Sequence, residues 1–390
     1  MNVWDVIVIG TGAVGSFALR EASRRGARAL GLELAEPAHA RGSSHGHCRI
    51  FRHAYFEHPD YVPLLRYATR GFEELERERS VQLLHRCGVL LLGQRNSTIL
   101  SRSLLAARTH GLPVDDLDAR DLAQRFPWFA SPLAERGVLE QDAGLVRPEL
   151  AIAAAVASAR SAGAELRLCT RAITLRADAH GVEVATANGT ERARSVIVAV
   201  GAWAAKLLPE LRPHLTVTRQ VQTWVAPQPG GSQDGMPCWL LDLGDDARSL
   251  YGIPADPLAD AQSPARFPKV AWHGSNDVVD PDVGAMPPSE HDTGPLLAAY
   301  ARAAAPLAGR IQDAATCLYT MSTDGDFLVG RSRESERIHF AAGLSGHGFK
   351  LAPALGRALC DLALLGHTEL PIGFLSPDRF ATRGNENDHE

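Results

Sequence analysis

Nowhere in the 390 residues does an apolar stretch reach about 18 residues without a charge, so no membrane-spanning helix is expected. The N-terminus shows no cationic leader and no small-residue cleavage site, and no signal peptide is read there. Cysteine is sparse. Cys48, Cys87, Cys169, Cys238, Cys317 and Cys360 are scattered with no CxxC pair, which argues against a disulfide framework or a zinc site and for a reducing cytoplasm. No cluster of His, Cys and Asp has ligand spacing, so no metal is expected. Charge of one sign is missing too. The formal net charge is −5 with no basic stripe, which disfavours nucleic acid or an anionic membrane as partner. Internal repeats and low-complexity blocks are absent. What remains is an ordinary globular composition, 45% apolar and 22% charged, in a chain long enough for two domains or one large α/β domain with an insertion.

The richest segment comes first. A β-branched run from Val3 to Ile9 ends in Gly10-Thr-Gly12-Ala-Val-Gly15, a helical pattern follows from Ser16 to Arg25, and a second apolar run, Ala29 to Leu32, ends at Glu33. This is a βαβ unit carrying GxGxxG, with an acid 18 residues after Gly15. In such a loop the first glycine allows the tight turn, the second lets backbone N–H groups approach a pyrophosphate, and the third permits close helix–strand packing. The helix N-terminus favours phosphate charge, and an acid at position 33 can accept hydrogen bonds from ribose hydroxyls. NAD and FAD share this fingerprint. The Val196–Val200 run into Gly201 and a last strand at Ile338–Ala342 return the chain to the same unit after a long insertion, an arrangement that favours FAD.

Other elements are read more coarsely. Helices are predicted at Tyr61–Arg77, Asp118–Phe126, Pro148–Ala162 and Pro353–Leu364, and strands at Val89–Leu92, Glu165–Leu168 and Val182–Thr186. From Thr216 to Thr316 the pattern predicts short strands with Pro- and Gly-rich turns, and irregular loops at Asp256–Pro268 and Asp280–Pro288. Three further segments carry chemistry-bearing residues. In Gly42-Ser-Ser-His45-Gly-His-Cys48-Arg49-Ile-Phe-Arg52-His53, two arginines three apart are either a solvated basic loop or a grip for a carboxylate and for flavin charge. Cys317, in Thr-Cys317-Leu-Tyr319-Thr, reads from its neighbours alone as a small buried hydrophobe. Gly343-Leu-Ser-Gly346-His347-Gly348-Phe349-Lys350 is either a strand-to-helix turn with a surface lysine or a backbone platform for a flat ring with a cation at its edge.

Taken together, the GxGxxG start, His45–Tyr55, the GAW at Gly201, Cys317–Thr320 and Ser345–Lys350 resemble the monomeric sarcosine oxidase and N-methyltryptophan oxidase family of FAD-dependent amine oxidases, from Gly10 to about Phe374. The resemblance implies an α/β (α+β) fold: a Rossmann-like FAD-binding domain from residues 1–85, 145–215 and 320–384, an inserted antiparallel-sheet substrate domain from 86–144 and 216–319, and a flexible tail at 385–390. It implies FAD held by Gly10, Gly12, Gly15, Glu33 and Gly346 to Lys350, and joined covalently to Cys317 through an 8α-S-cysteinyl bond. Arg52 and Lys350 match the pair that grips the substrate carboxylate. Arg49 and His45 match basic residues over the flavin face, and Lys269 matches the lysine implicated in oxygen activation. Tyr251, His273, Tyr319 and Leu240 match the walls of the substrate pocket.

The implied reaction is hydride transfer from a small secondary (N-methyl or cyclic) amino acid to FAD N5, with O2 as acceptor, H2O2 as product and an imine that hydrolyses. The implied protein is a cytoplasmic monomer. Departures from the pattern are Cys48, where the family often has threonine; Leu240, where sarcosine oxidase has methionine; and Ser232–Pro288, which aligns poorly and supplies part of the pocket. Three alternatives use the same residues: a desaturating oxidase of a cyclic imino acid of the pipecolate or piperideine-carboxylate type, a dehydrogenase that passes electrons to a carrier, and a flavin-binding protein without turnover.

Overall fold

The computed structural model describes residues 3–129, 132–244, 249–284 and 286–380. The tail expected at 385–390 lies outside the described residues.

One eight-stranded sheet grows from the N-terminal βαβ unit. Trp4–Ile9 lies between Ala29–Leu32 and Gly189–Val198, parallel to both, and Ala29–Leu32 pairs in parallel with Glu165–Arg167. The far half of Gly189–Val198 pairs in parallel with Ser335–Ala342, which brings the C-terminal strand back beside the N-terminal one. The two faces of Trp4–Ile9 explain its unbroken apolar run. Val6 and Val8 pack under helices Ala13–Arg24 and Ala352–Leu365, while Ile7 and Ile9 pack in a second core with Val182, Val184 and Phe340. A parallel strand buried on both sides must be apolar at every position rather than at alternate ones.

The turn after this strand depends on its glycines. Gly10 has φ +80°, and a Cβ there would lie 2.7 Å from the Ala199 carbonyl oxygen; a Cβ on Gly15 would lie 1.8 Å from the Gly10 oxygen. Helix Ala13–Arg24 can therefore start directly over the strand end.

A second eight-stranded sheet runs in the order Ile311–Ser322, Leu215–Val225, Lys269–His273, Ser249–Ile253, Cys238–Asp242, Val89–Gly93, Arg136–Glu140, Asp115–Asp118. It is antiparallel except where Cys238–Asp242 runs parallel to Val89–Gly93. Its register sets one face of the site: Leu91, Leu240 and Tyr251 are cross-strand partners in one row, and Val89 pairs with Cys238 and Ile253 with Lys269. Side chains in such rows share a face because successive residues alternate. A small sheet of Arg49–Phe51, Gly144–Val146 and Leu84–His85 joins the two large ones.

Within residues 216–316 Cys238–Asp242, Ser249–Ile253 and Lys269–His273 are the expected short strands, but the two that flank them are long. Leu215–Val225 and Ile311–Ser322 span 11 and 12 residues and pair along nearly their whole length. A helix, Glu290–Ala303, follows a Ser289/Asp292 capping box despite Gly294 and Pro295 within it. Among the described residues no helix is long and apolar enough to cross a membrane.

Candidate active site

A single cavity of about 410 Å³ runs from the glycine loop to the inner face of the second sheet, within the range usual for small-molecule sites. At one end lie Gly10, Gly12 and Glu33. At the other lie Arg49, Arg52, Leu240, Tyr251, His273, Tyr319 and Lys350, with Gly346 to Phe349 between. Gly15, His45, Lys269 and Cys317 stand behind this lining, although Leu318, Tyr319 and Thr320 are part of it.

The dinucleotide end suits FAD on structural grounds. The N-terminus of helix Ala13–Arg24 receives no side-chain cap, so its first N–H groups remain for a phosphate. A Cβ on Gly12 would meet only Ser44 Oγ, at 3.9 Å, which leaves open space above the loop. Glu33 accepts from Thr11 N at 2.6 Å, Thr11 Oγ1 at 3.1 Å and Leu34 N at 2.7 Å, and its Oε1 lies 3.3 Å from His39 Nε2. Burial works against its charge, yet the His39 and Thr11 hydrogen bonds hold its pKa below the ordinary value, so it stays an acceptor.

At the opposite end the cations are each held by a partner. Arg52 donates to the Ala54 carbonyl at 2.8 Å and to both oxygens of Glu57 at 2.9 and 2.8 Å, while its guanidinium stacks 4.4 Å from the Tyr55 ring centroid and 4.2 Å from that of Phe56. Burial alone would raise the Glu57 pKa, but the charge of Arg52 and the hydrogen bonds it donates bring it down to about 2. Lys350 donates to the His347 carbonyl at 3.0 Å and to Tyr55 OH at 3.4 Å. Burial and then the Arg52 charge lower its pKa to about 7. Tyr55 OH also lies 2.6 Å from His347 Nδ1, whose Nε2 faces the Gly325 carbonyl at 3.2 Å. The carbonyl requires the proton on Nε2, so Nδ1 accepts from Tyr55. Burial lowers the His347 pKa to about 3 and keeps the ring neutral. Lys350 is buried, which removes the reading of this turn as one that carries a surface lysine.

Tyr251 and Tyr319 lie next to each other, and the His273 ring stands 6.5 and 6.3 Å from their centroids. Burial lowers the His273 pKa, which favours the uncharged imidazole. Gly346 makes room for the Tyr319 ring: a Cβ there would lie 2.2 Å from Cε2.

Beneath the loop that precedes Arg49, Lys269 Nζ is buried and donates to the carbonyls of Gly46 at 3.0 Å and Cys48 at 2.5 Å, and to Gln222 Oε1 at 3.3 Å. Burial and the Arg49 charge lower its pKa to about 7. The loop itself is clamped by Glu149, which accepts from Gly46 N at 2.6 Å and His47 N at 3.0 Å. His45 is buried, and its Nε2 has no hydrogen-bond partner among the described residues; burial and then Arg49 lower its pKa to about 4, so it is neutral. Arg49 donates to the Ser43 and Cys48 carbonyls at 2.8 and 2.9 Å. Burial raises the Cys317 thiol pKa, against the pull of Arg49 and Lys269.

The chain matches the family model described as FAD dependent oxidoreductase over residues 5–362. The chain belongs to the FAD-dependent oxidoreductase family. It is 36% identical to monomeric sarcosine oxidase of Streptomyces avermitilis, covering 97% of this chain and 98% of that protein. It is 32% identical to N-methyl-L-tryptophan oxidase of Yersinia pestis, covering 97% and 99%. Of solved structures, NikD, described as an unusual amino acid oxidase essential for nikkomycin biosynthesis, aligns at TM-score 0.82 and 24% identity over 97% of this chain and 98% of that one. L-proline dehydrogenase from P. horikoshii aligns at TM-score 0.82 and 19% identity, over 98% and 99%. These structural likenesses establish the shared fold of the oxidoreductase family.

Three polar groups around the site are absent from the sequence reading, Glu57, Gln222 and Glu149, and Tyr55 enters it only as the end of the His45–Tyr55 segment. An acid five residues after Arg52 was the one local hint. Gln222 and Glu149 approach the 46–48 loop from distant strands and helices, and no spacing rule reaches them.

Proposed function

We propose that this FAD-dependent oxidoreductase is an oxidase of a small secondary amino acid, N-methyl or cyclic, that uses O2 and releases H2O2 and an imine that hydrolyses. The observation that carries this reading is one cavity that joins a dinucleotide loop to Arg52 and Lys350. The names of the two sequence relatives, both oxidases of N-methyl amino acids, support the substrate class.

In this reading Arg52 and Lys350 bind the substrate carboxylate, a planar fork and a point charge converging on one anion. Carboxylate binding competes with Glu57 for Arg52. The amine then faces Tyr251, Tyr319 and neutral His273, a desolvated wall that favours the uncharged amine over the ammonium. Leu240 packs against the substituent. FAD would be held by Gly10, Gly12, Glu33 and Gly346 to Phe349, and would supply hydride acceptance from the C–N carbon and electron delivery to O2. Arg49 supplies fixed positive charge beside the reacting centre, His45 lies behind it, and Lys269 supplies a cation for the oxygen step. Cys317 is proposed as the point of covalent attachment, with Arg49 and Lys269 favouring its thiolate.

Anaerobic titration of the purified flavoprotein with sarcosine, N-methyltryptophan, pipecolate, proline and D-alanine tests this. Bleaching of the flavin absorbance by secondary amino acids, followed by peroxide release on adding O2, is expected. A spectrum unchanged by every secondary amine would reject the reading.

A further inference from the structure

A pair of thiols lies outside the groups used above. Cys87 precedes strand Val89–Gly93, and Cys238 opens the parallel strand Cys238–Asp242, in register with Val89. The Cys238 amide donates to the Gly88 carbonyl at 3.0 Å, so the two backbones are already tied at this point. None of the six cysteines is in a disulfide, yet Cys87 Sγ and Cys238 Sγ are 3.8 Å apart. A disulfide bond is about 2.05 Å long, so closure asks for side-chain rotation between strands that are fixed beside each other. The two thiols differ in access: Cys238 is fully buried, whereas Cys87 is half-buried and can meet a small oxidant. They differ in acidity as well. Hydrogen bonding from Cys238 lowers the Cys87 pKa, and burial pushes that of Cys238 well up.

We propose that Cys87 and Cys238 are a peroxide-reactive redox site, with Cys87 the attacking thiol and Cys238 the resolving one. The Cys87 thiolate attacks one oxygen of hydrogen peroxide, the O–O bond breaks, and hydroxide leaves to take up a proton as water; Cys87 is oxidised to a sulfenic acid. The Cys238 sulfur then attacks the Cys87 sulfur, the S–O bond breaks, and a second water leaves with the Cys238 proton. Two thiols are oxidised and one peroxide is reduced to two waters. A low-pKa, reachable thiol poised beside a resolving one is the arrangement such chemistry requires. The proposed oxidase reaction supplies the oxidant, and in that respect the inference rests on the function given above. Neither sulfur lines the cavity, but Val89, the register partner of Cys238, does. The bond would staple the aliphatic wall of the site at its Val89 end.

The holoenzyme is treated with reagent hydrogen peroxide, alkylated under denaturing conditions, digested and mapped by mass spectrometry. A Cys87–Cys238 cross-link reversed by dithiothreitol is expected, with the exposed Cys169 unlinked. Cys238→Ser should abolish the link and leave a dimedone-trapped sulfenic acid on Cys87. Cys87 and Cys238 that remain alkylated as free thiols while Cys169 is oxidised, or a link from Cys238 to Cys48, would overturn the proposal. A parallel sample oxidised only by turnover with substrate and O2, with and without catalase, separates the two readings. A link with reagent peroxide and none in turnover, with no peroxide released, keeps the thiol site and removes the oxidase reading.

Discussion

Replacing Arg52 by methionine tests the cationic end of the site most directly, because two separate quantities should change. Arg52 and Glu57 are paired through two hydrogen bonds, with side chains only 5% and 14% exposed. The Glu57 pKa, brought from 4.5 to about 2, corresponds to about 3 kcal/mol of charge stabilisation. The sign follows from the depression: this stability is fully present above about 4.5 and is lost as pH falls through about 2. In Arg52→Met the buried carboxylate loses its main countercharge, and the variant should unfold about 3–5 kcal/mol more easily at pH 7. Protonating Glu57 relieves that cost, so the variant should gain stability on mild acidification, where the wild type does not. The double variant Arg52→Met/Glu57→Gln removes both charges and should recover most of the loss. Carboxylate affinity should behave differently. It should fall by about 2–5 kcal/mol in the single and the double variant alike, because the grip on the ligand is gone in both. Urea unfolding at two pH values and ligand titration followed by flavin absorbance supply both numbers. Equal destabilisation of the single and double variants, or unchanged ligand affinity, would refute the reasoning.

Other outcomes follow from the remaining cations and thiols. The Lys350 pKa of about 7 means that carboxylate affinity should weaken as pH rises through neutrality, where the cation is lost, and this pH dependence should disappear in Lys350→Met; a flat wild-type profile from pH 6 to 9 would count against it. Cys317→Ser should release the yellow chromophore on denaturation in acid, whereas the wild-type chain should retain it; free flavin from the wild type would remove the covalent assignment. Lys269→Met should slow reoxidation by O2 far more than anaerobic reduction in stopped-flow measurements, and an equal loss in both half-reactions would argue that Lys269 acts by holding the Gly46 and Cys48 carbonyls.

What the sequence revealed was what short-range rules control. The glycine loop, its helix and Glu33 lie within one βαβ unit, and each glycine has a steric reason that local spacing expresses. Arg52 and Lys350 were legible as candidates, but their burial was not, because it depends on Tyr55, Glu57 and His347 closing around them from separate segments. The helix Glu290–Ala303 falls in the stretch read as short strands and turns; packing of Leu296, Ala299, Tyr300 and Ala303 overrides the poor helix preference of Gly294 and Pro295. The helix Thr98–His110, capped by Ser97, was passed over as well. The long pairing of Leu215–Val225 with Ile311–Ser322 joins residues about a hundred positions apart, a register that no local window contains.

The two ends of the cavity are built by different means. Cofactor-facing groups sit on a turn whose geometry tolerates almost no side chain, while the hydrophobic wall is a row of cavity-facing strand residues, Leu91, Leu240 and their neighbours, each replaceable without moving its backbone. Exchanging wall residues can therefore reshape which amine fits while the flavin's berth stays intact, so relatives with one redox chemistry can diverge freely in diet.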